Sequence, residues 1–288
     1  METLVRFAVE SEPFRQCKQD FWWGVTLTKN HLKRLKDLKQ KKHREEQKKF
    51  LVEGIRLVQE AVGSDFEILE AFYTPDLTDH AGGPLLLDKL KEKTANVHEI
   101  SSREMGSLSE AVCTQGVLAV AKQKEFPVGL ILRENRGESV LAALDSVSDP
   151  GNVGTMIRTC DWFGVDGILL GGNSVELYNP KVIRATMGGI FHLPIAQRVD
   201  LLSTISKAKS MRYRIYVTDV RGETHFDRLS YDRKSLIVFG NEAWGVSDQL
   251  KRLADVRVLI RRYGAAESLN VSVACGVVLS MLHKLYDE

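Results

Sequence analysis

Apolar positions recur along this chain at two spacings, and the change from one to the other marks its elements. Leu32, Leu35 and Leu38 recur at about helical spacing among lysines, which predicts an amphipathic basic helix over 29–44. Phe50-Leu51-Val52 is a short apolar run suited to a strand. Ile55, Val58, Ala61 and Val62 follow at helical spacing. Ile68–Tyr73, Asn96–Ile100 and Gly116–Ala121 read as further strands, with helical or loop material between them. This is a small α/β domain over 25–121, preceded by a 1–24 extension and followed by a polar linker, 122–127, that ends in Pro127.

From Val128 the pattern restarts as a second domain, 128–288. Val128–Leu132, Val140–Leu144, Gly167–Leu170, Tyr213–Thr218, Leu236–Phe239 and Val256–Ile260 are apolar runs that predict buried strands. Residues 152–163, Pro180–Met187 and Val271–Leu285 read as helices, with Pro180 in the first turn of its own. Strands alternating with helices imply a largely parallel sheet covered on both faces, an α/β fold.

Composition narrows the class. With 288 residues, 43% of them hydrophobic and 27% charged, the chain has the make-up of a globular protein of two ordinary domains. No apolar stretch reaches the roughly 18 residues of a membrane span. The first 24 residues lack the apolar core and cleavage site of a signal peptide; they read either as a loosely ordered extension or as an over-called start. Cys17, Cys113, Cys160 and Cys275 are scattered, and no histidine has metal-ligand spacing. A disulfide framework and a metal site are therefore not expected, buried thiols are, and a reducing cytoplasm is the default.

Net charge is only +2, but residues 29–49 hold ten Lys/Arg and three Asp/Glu, a local balance of +7. A basic block on a mildly acidic body is either a solvated helix face or the footprint of a polyanion-binding segment.

Three polar, glycine-marked segments carry the candidate chemistry. Asp149-Pro150-Gly151-Asn152-Val153-Gly154 follows the Val140–Leu144 strand, with Arg158 beyond it. Gly240-Asn241-Glu242-Ala243-Trp244-Gly245 follows Leu236–Phe239, and Gly264–Asn270 follows Val256–Ile260. In an open α/β sheet ligands bind beyond the carboxyl ends of the strands. One such loop is an ordinary turn; three after separate strands point to a site. The dinucleotide fingerprint Gly-x-Gly-x-x-Gly, the P-loop and the Gly-x-Ser-x-Gly nucleophile elbow are all missing. Arg158 lies about two turns into its helix, between apolar neighbours, and is either a surface ion-pair partner or a guanidinium fork for phosphate. Glu242 is a turn residue or a site carboxylate. Ser268 and Asn270 are caps of the last helix, polar site groups, or both.

In their order and letters these segments resemble the three motifs of the SpoU branch of the SPOUT RNA methyltransferases: Asp149-Pro-Gly-Asn-Val-Gly with Arg158, Gly240-Asn-Glu-x-x-Gly245 and Glu267-Ser-Leu-Asn-Val-Ser-Val-Ala274. The run Phe50-Leu-Val-Glu-Gly-Ile-Arg-Leu-Val-Gln-Glu-Ala61 resembles the substrate-binding domain that precedes many SpoU catalytic domains, a fold similar to ribosomal RNA-binding proteins. The resemblance covers roughly residues 28–286.

It implies a C-terminal α/β trefoil knot, an exception to unknotted topology, a homodimer, and transfer of a methyl group from S-adenosylmethionine to a ribose 2′-hydroxyl, with ribosomal RNA favoured over transfer RNA. By motif position, Gly240, Ile260 and Leu269 would contact the cofactor through backbone groups, with Thr218, Asp219, Asn241 and Gly245 around it. Asn152, Arg158, Glu242, Ser268 and Asn270 would line the reaction site. A guanidinium is very hard to deprotonate, so Arg158 is expected to bind the adjacent phosphate and steady developing alkoxide charge, with Glu242 or a water it orients as the proton acceptor. The basic block then reads as RNA-tracking through Lys29, Lys33, Arg34, Lys36, Lys41, Lys42 and Arg44. The chain departs from the family at one place. Many members follow the isoleucine at Ile260 with proline and an apolar residue, where Arg261 and Arg262 stand here. The alternatives are a transfer RNA enzyme, a base methyltransferase, and a non-catalytic RNA-binding protein that kept the fold.

Overall fold

The computed structural model describes residues 27–110, 114–134, 137–222, 224–225 and 232–286. The 1–24 extension and the thiols of Cys17 and Cys113 lie outside the described residues.

The N-terminal unit runs α1 (Lys29–Asp37), α2 (Lys41–Gln47), β1 (Lys49–Glu53), α3 (Ile55–Gly63), β2 (Ile68–Tyr73), α4 (Gly83–Lys93), β3 (Val97–Glu99), α5 (Ser102–Leu108) and β4 (Val117–Lys122). Its four strands lie in the order β1-β4-β2-β3. The C-terminal unit runs α6 (Val128–Ile131), β5 (Ser139–Leu144), α7 (Pro150–Trp162), β6 (Gly167–Gly171), α8 (Pro180–Thr186), β7 (Ile195–Val199), α9 (Leu201–Ser210), β8 (Arg214–Thr218), β9 (Thr224–His225), β10 (Lys234–Phe239), α10 (Asp248–Lys251), β11 (Val256–Leu259) and α11 (Val271–Tyr286). Its seven strands are all parallel, in the order β7-β6-β5-β10-β8-β11-β9.

Strand alternation builds the two cores of this sheet. Ala142 and Leu144 face α7, α8 and α11, whereas Leu141 and Ala143 face α9 and α6. On the first side Gly154 lets α7 and α8 meet: a Cβ there would lie 2.4 Å from the Cβ of Ala185. Cys160 on α7 and Cys275 on α11 are buried, free thiols. A hydrogen bond with Cys275, followed by burial, holds the Cys160 thiol well above its ordinary pKa, so it stays protonated and unreactive.

Two expectations are corrected. Val128–Leu132 is not a strand: Pro127 caps a helical turn there. Leu130 is 49% exposed while Ile131 and Leu132 are buried, a one-sided burial that a short apolar run does not reveal. The basic segment 29–44 is two helices. The chain turns at Leu38, which is buried, and restarts at Lys41.

Arg44 explains that turn, and it is the second half of the correction. Its side chain is 2% exposed and forms a two-point ion pair with Glu176, 7% exposed, from the other unit. Its Nη1 also donates to the carbonyls of Leu38 (2.9 Å) and Lys39 (2.7 Å), the open end of α1. A guanidinium engaged in this way is not open to RNA. Nearby, Phe50 packs on Tyr178 with ring centroids 4.6 Å apart, and Phe66 meets Phe191 edge-on at 5.1 Å. The Tyr178 hydroxyl donates to the carbonyl of Lys124 (2.7 Å) and accepts its N–H (2.8 Å), so the connecting segment is bound to the second unit. The two units thus share one hydrophobic core.

Removing one partner of a buried ion pair leaves the other charge without compensation, at a cost of about 3–5 kcal/mol. Arg44→Ala is expected to lower the unfolding free energy by that amount in urea titrations. Unchanged stability would return Arg44 to the candidate RNA contacts.

Candidate functional site

The three glycine-marked segments meet at the carboxyl edge of the parallel sheet. α7 begins there because Asp149 accepts the N–H of Asn152 at 2.8 Å and Pro150 occupies the first turn. The loop after β10 is closed on itself: the N–H and carbonyl of Asn241 bond the carbonyl and N–H of Gly245 at 3.0 and 2.9 Å. Its amide is buried, donating to the carbonyl of Ser146 (2.7 Å) and accepting the N–H of Ala243 (2.8 Å). α11 begins at Asn270, whose Oδ1 accepts from the backbone of Ser272 (2.8 Å) and the Ser272 hydroxyl (2.6 Å).

One hydrogen-bonded chain joins all three. The Asn270 amide donates to Oδ1 of Asn152 at 2.9 Å, and Nδ2 of Asn152 donates to Glu242 at 2.9 Å. Glu242 also accepts the backbone N–H of Asp149 (3.1 Å) and of Ser148 (3.3 Å). Asn270 is therefore both a cap and part of this cluster. Partial burial raises the Glu242 carboxyl, but the hydrogen bonds from Asn152, from its own backbone, from Asp149 and from Ser148 outweigh this and hold it below its ordinary value. A carboxylate with several donors and a lowered pKa is a poor proton acceptor, so Glu242 is better described as the anchor of the cluster.

The remaining expected residues divide. Arg158 is exposed on α7, and among the described residues it has no ion-pair partner. Ser268 is exposed in the loop before α11. Gly240, Ile260 and Leu269 have backbone N–H groups with no hydrogen-bond partner among the described residues, and Gly240 is buried. A Cβ at Gly240 would lie 2.1 Å from the backbone of Gly245 and Val246, so only glycine fits. A buried N–H without a partner at the sheet edge suits a ligand that approaches the backbone closely. Thr218 gives its hydroxyl to the carbonyl of Val238 (3.1 Å).

Three of the expected cofactor residues have partners within the protein. Asn241 and Gly245 have their backbone groups paired with each other, and the Asn241 amide is turned to Ser146, so they shape the loop. The Asp219 carboxylate is held by Arg257 (2.9 Å), Lys251 (3.8 Å) and the N–H of Arg221 (3.0 Å). Sequence reasoning passed over Asp145, Ser146 and Ser148. Asp145 accepts the N–H of Ser247 (2.8 Å), and Ser146 adopts a positive φ of 59° to present its carbonyl to Asn241. Their signal was a polar run placed directly after an apolar strand. Of the basic residues, Lys29, Lys33, Arg34 and Lys36 are exposed on α1. Lys41 and Lys42 face Glu45 and Glu46 on α2 at 3.8 and 3.9 Å. Among the described residues no group of His, Cys, Asp and Glu could hold a metal ion, and no helix is long and apolar enough to cross a membrane.

Comparison with known proteins decides the family. Residues 139–280 match the SpoU rRNA Methylase family, and residues 29–119 match the MRM3-like substrate binding domain. The 23S rRNA (guanosine(2553)-2′-O)-methyltransferase RlmP of Bacillus subtilis is 30% identical over 85% of this chain and 92% of its own length. The chain belongs to the SpoU rRNA methylase family. Among solved structures, an AdoMet-bound rRNA methyltransferase from Sinorhizobium meliloti is 28% identical, with a TM-score of 0.78 over 90% of this chain and 97% of that one. The SpoU methyltransferase AviRb of Streptomyces viridochromogenes, at 22% identity, shares the fold with a TM-score of 0.79 over 89% and 98%. The seven-stranded unit is thus the SPOUT domain. After β11 the chain reaches Asn270, whose amide bonds Asn152 at the start of α7.

Because the folded Glu242 pKa lies below its unfolded value, its stabilisation is complete above the ordinary carboxylate range and is lost as pH falls through the folded value. Glu242→Gln is therefore expected to unfold at lower denaturant than wild type at neutral pH. The gap should close as pH drops below the ordinary value of 4.5. A gap of the same size at both pH values would contradict the ionised, hydrogen-bonded carboxylate.

Proposed function

We propose that this chain transfers a methyl group from S-adenosylmethionine to a ribose 2′-hydroxyl of ribosomal RNA. The observation that carries the reading is the Glu242–Asn152–Asn270 chain, which draws the three SpoU motifs to one edge of the sheet. The name of the Bacillus relative supports both the ribose 2′-oxygen and ribosomal RNA. S-adenosylmethionine supplies an electrophilic methyl group.

The backbone groups of Gly240, Ile260 and Leu269 would hold the cofactor, since they suit a ligand that lies close against the main chain. Asn152 and Asn270 fix the position of the first turns of α7 and α11, between which the ribose would lie. Holding the attacking oxygen in line with the methyl carbon supplies much of the rate. Arg158, exposed and without an ionic partner among the described residues, suits a forked contact to the adjacent phosphate and stabilises charge developing on the 2′-oxygen. The 2′-proton leaves to water. Glu242 keeps the loops in register and stays ionised throughout.

Lys29, Lys33, Arg34 and Lys36 on α1 would track the RNA backbone, with Lys41 and Lys42 contributing less because each faces a glutamate. Trp162, 84% exposed at the end of α7, and Val273, half-exposed on α11, leave apolar surface on the two helices that bear motifs, which supports a homodimer. Two buried free thiols support a reducing compartment such as the cytoplasm.

The test is transfer of labelled methyl to RNA fractions from cells lacking this protein. Label in ribosomal RNA, recovered as an alkali-resistant dinucleotide, is expected. Label confined to transfer RNA would move the substrate, and no label together with no cofactor binding would favour a non-catalytic RNA-binding protein. Arg158→Lys keeps the charge and loses the fork; kcat is expected to fall about a hundredfold, the scale of losing one transition-state donor. A wild-type rate would remove Arg158 from the chemistry.

A further inference from the structure

Two large aromatic side chains stand open on the rim of the site. Tyr263 is 87% exposed and Trp244 is 68% exposed. Neither is placed by a hydrophobic core. Trp244 sits two residues beyond Glu242, inside the loop that Asn241 and Gly245 close, so its backbone is fixed beside the anchor of the site. Tyr263 sits three residues beyond Ile260, in the segment that returns from β11 to Asn270. That segment must cross the ends of β8 and β10, the strands that separate β11 from β5, at about 4.8 Å per strand. The segment ends at Asn270, whose amide bonds Asn152 in the same hydrogen-bonded chain as Glu242, two residues before Trp244.

A cation stands beside the Tyr263 ring. The Arg261 guanidinium lies 5.4 Å from the centre of the Tyr263 ring, an arrangement that orients both groups. Arg262 donates to the carbonyl of Ala266 at 3.3 Å. Among the described residues no carboxylate pairs with Arg158, Arg261 or Arg262. An exposed aromatic face with a guanidinium beside it suits an unpaired nucleobase, whose π-face stacks on the ring while its phosphate meets the guanidinium.

We infer that Trp244, Tyr263 and Arg261 form a platform that stacks an unpaired base of the RNA substrate beside the target ribose. The inference rests on the reading of the chain as an RNA methyltransferase and deepens it. The platform positions the nucleotide next to the reacting one and selects single-stranded or looped RNA, because a base inside a duplex presents no free face.

Trp244→Ala and Tyr263→Ala test it in the full-length chain, with Trp244→Phe and Tyr263→Phe as conservative controls. Affinity for a short unstructured oligoribonucleotide is read by fluorescence anisotropy. KM and kcat are read on ribosomal RNA from cells lacking the protein. Cofactor affinity is read by calorimetry and oligomeric state by sedimentation. Stacking is worth about 1–3 kcal/mol per base, so each alanine variant is expected to raise Kd and KM about tenfold, with kcat, cofactor affinity and sedimentation near wild type. The phenylalanine variants should recover most of the loss. Alanine variants that bind RNA as tightly as wild type would overturn the platform. So would a change in oligomeric state in place of RNA affinity, since the rim would then cover a second copy of the chain. The two readings fail separately. If wild type binds RNA through Tyr263 but transfers no methyl group, the enzymatic reading falls and the platform stands. If wild type methylates and the variants keep its KM, the platform falls alone.

Discussion

A single ionised carboxylate organises the carboxyl edge of this protein. Glu242 receives Asn152 and the backbone N–H groups of Ser148 and Asp149, and through Asn152 it reaches Asn270. Asparagine is the side chain this relay needs, because its amide donates to the carboxylate while its carbonyl accepts from the next amide. Aspartate at 152 would set two carboxylates against each other. The relay crosses about 90 residues of sequence at one step and 118 at the next, so it closes only when the parallel sheet has formed. Two of its members also start helices: Asp149 and Asn270 cap α7 and α11.

The second constraint lies between the units. Arg44 closes the end of α1 and pairs with Glu176, while Phe50, Tyr178, Phe66 and Phe191 continue the core across the boundary. Arg198 and Glu45 add an exposed ion pair alongside, and His192 bridges Asp161 and Glu60. The cationic face of α1 is therefore held at a fixed distance from the methyl-transfer edge.

Much of this was legible in the residues themselves. The β-branched runs predicted the central strands because a parallel strand buried on both faces reads as continuous apolar sequence. The three glycine-marked loops were expected to converge, and the hydrogen bonds of Asn152 join them. What escaped was set by tertiary context. β7 and α9 carry no strong signal: Ile195–Val199 mixes Gln197 and Arg198 into a strand, and Leu201–Ser210 is short and lysine-rich. Val128–Leu132 satisfies a strand and a helical turn equally in sequence. Arg44 looks like any other residue of a basic block until its partner, 132 positions away, is known. Asn241 sits in a motif and Asp219 was expected near the cofactor, yet their polar groups face Ser146 and Arg257; spacing cannot report where a side chain turns.

The most direct measurement is a double-mutant cycle on cofactor binding, using Asn152→Ala, Asn270→Ala and the double variant, with S-adenosylmethionine affinity read by calorimetry. If the three motifs act through one hydrogen-bonded chain, the first substitution removes most of what the second can. The double variant should then lose less affinity than the two singles together, with a coupling free energy of about 0.5–3 kcal/mol. Additive losses would mean that the motifs contribute independently, and would contradict a site organised around Glu242.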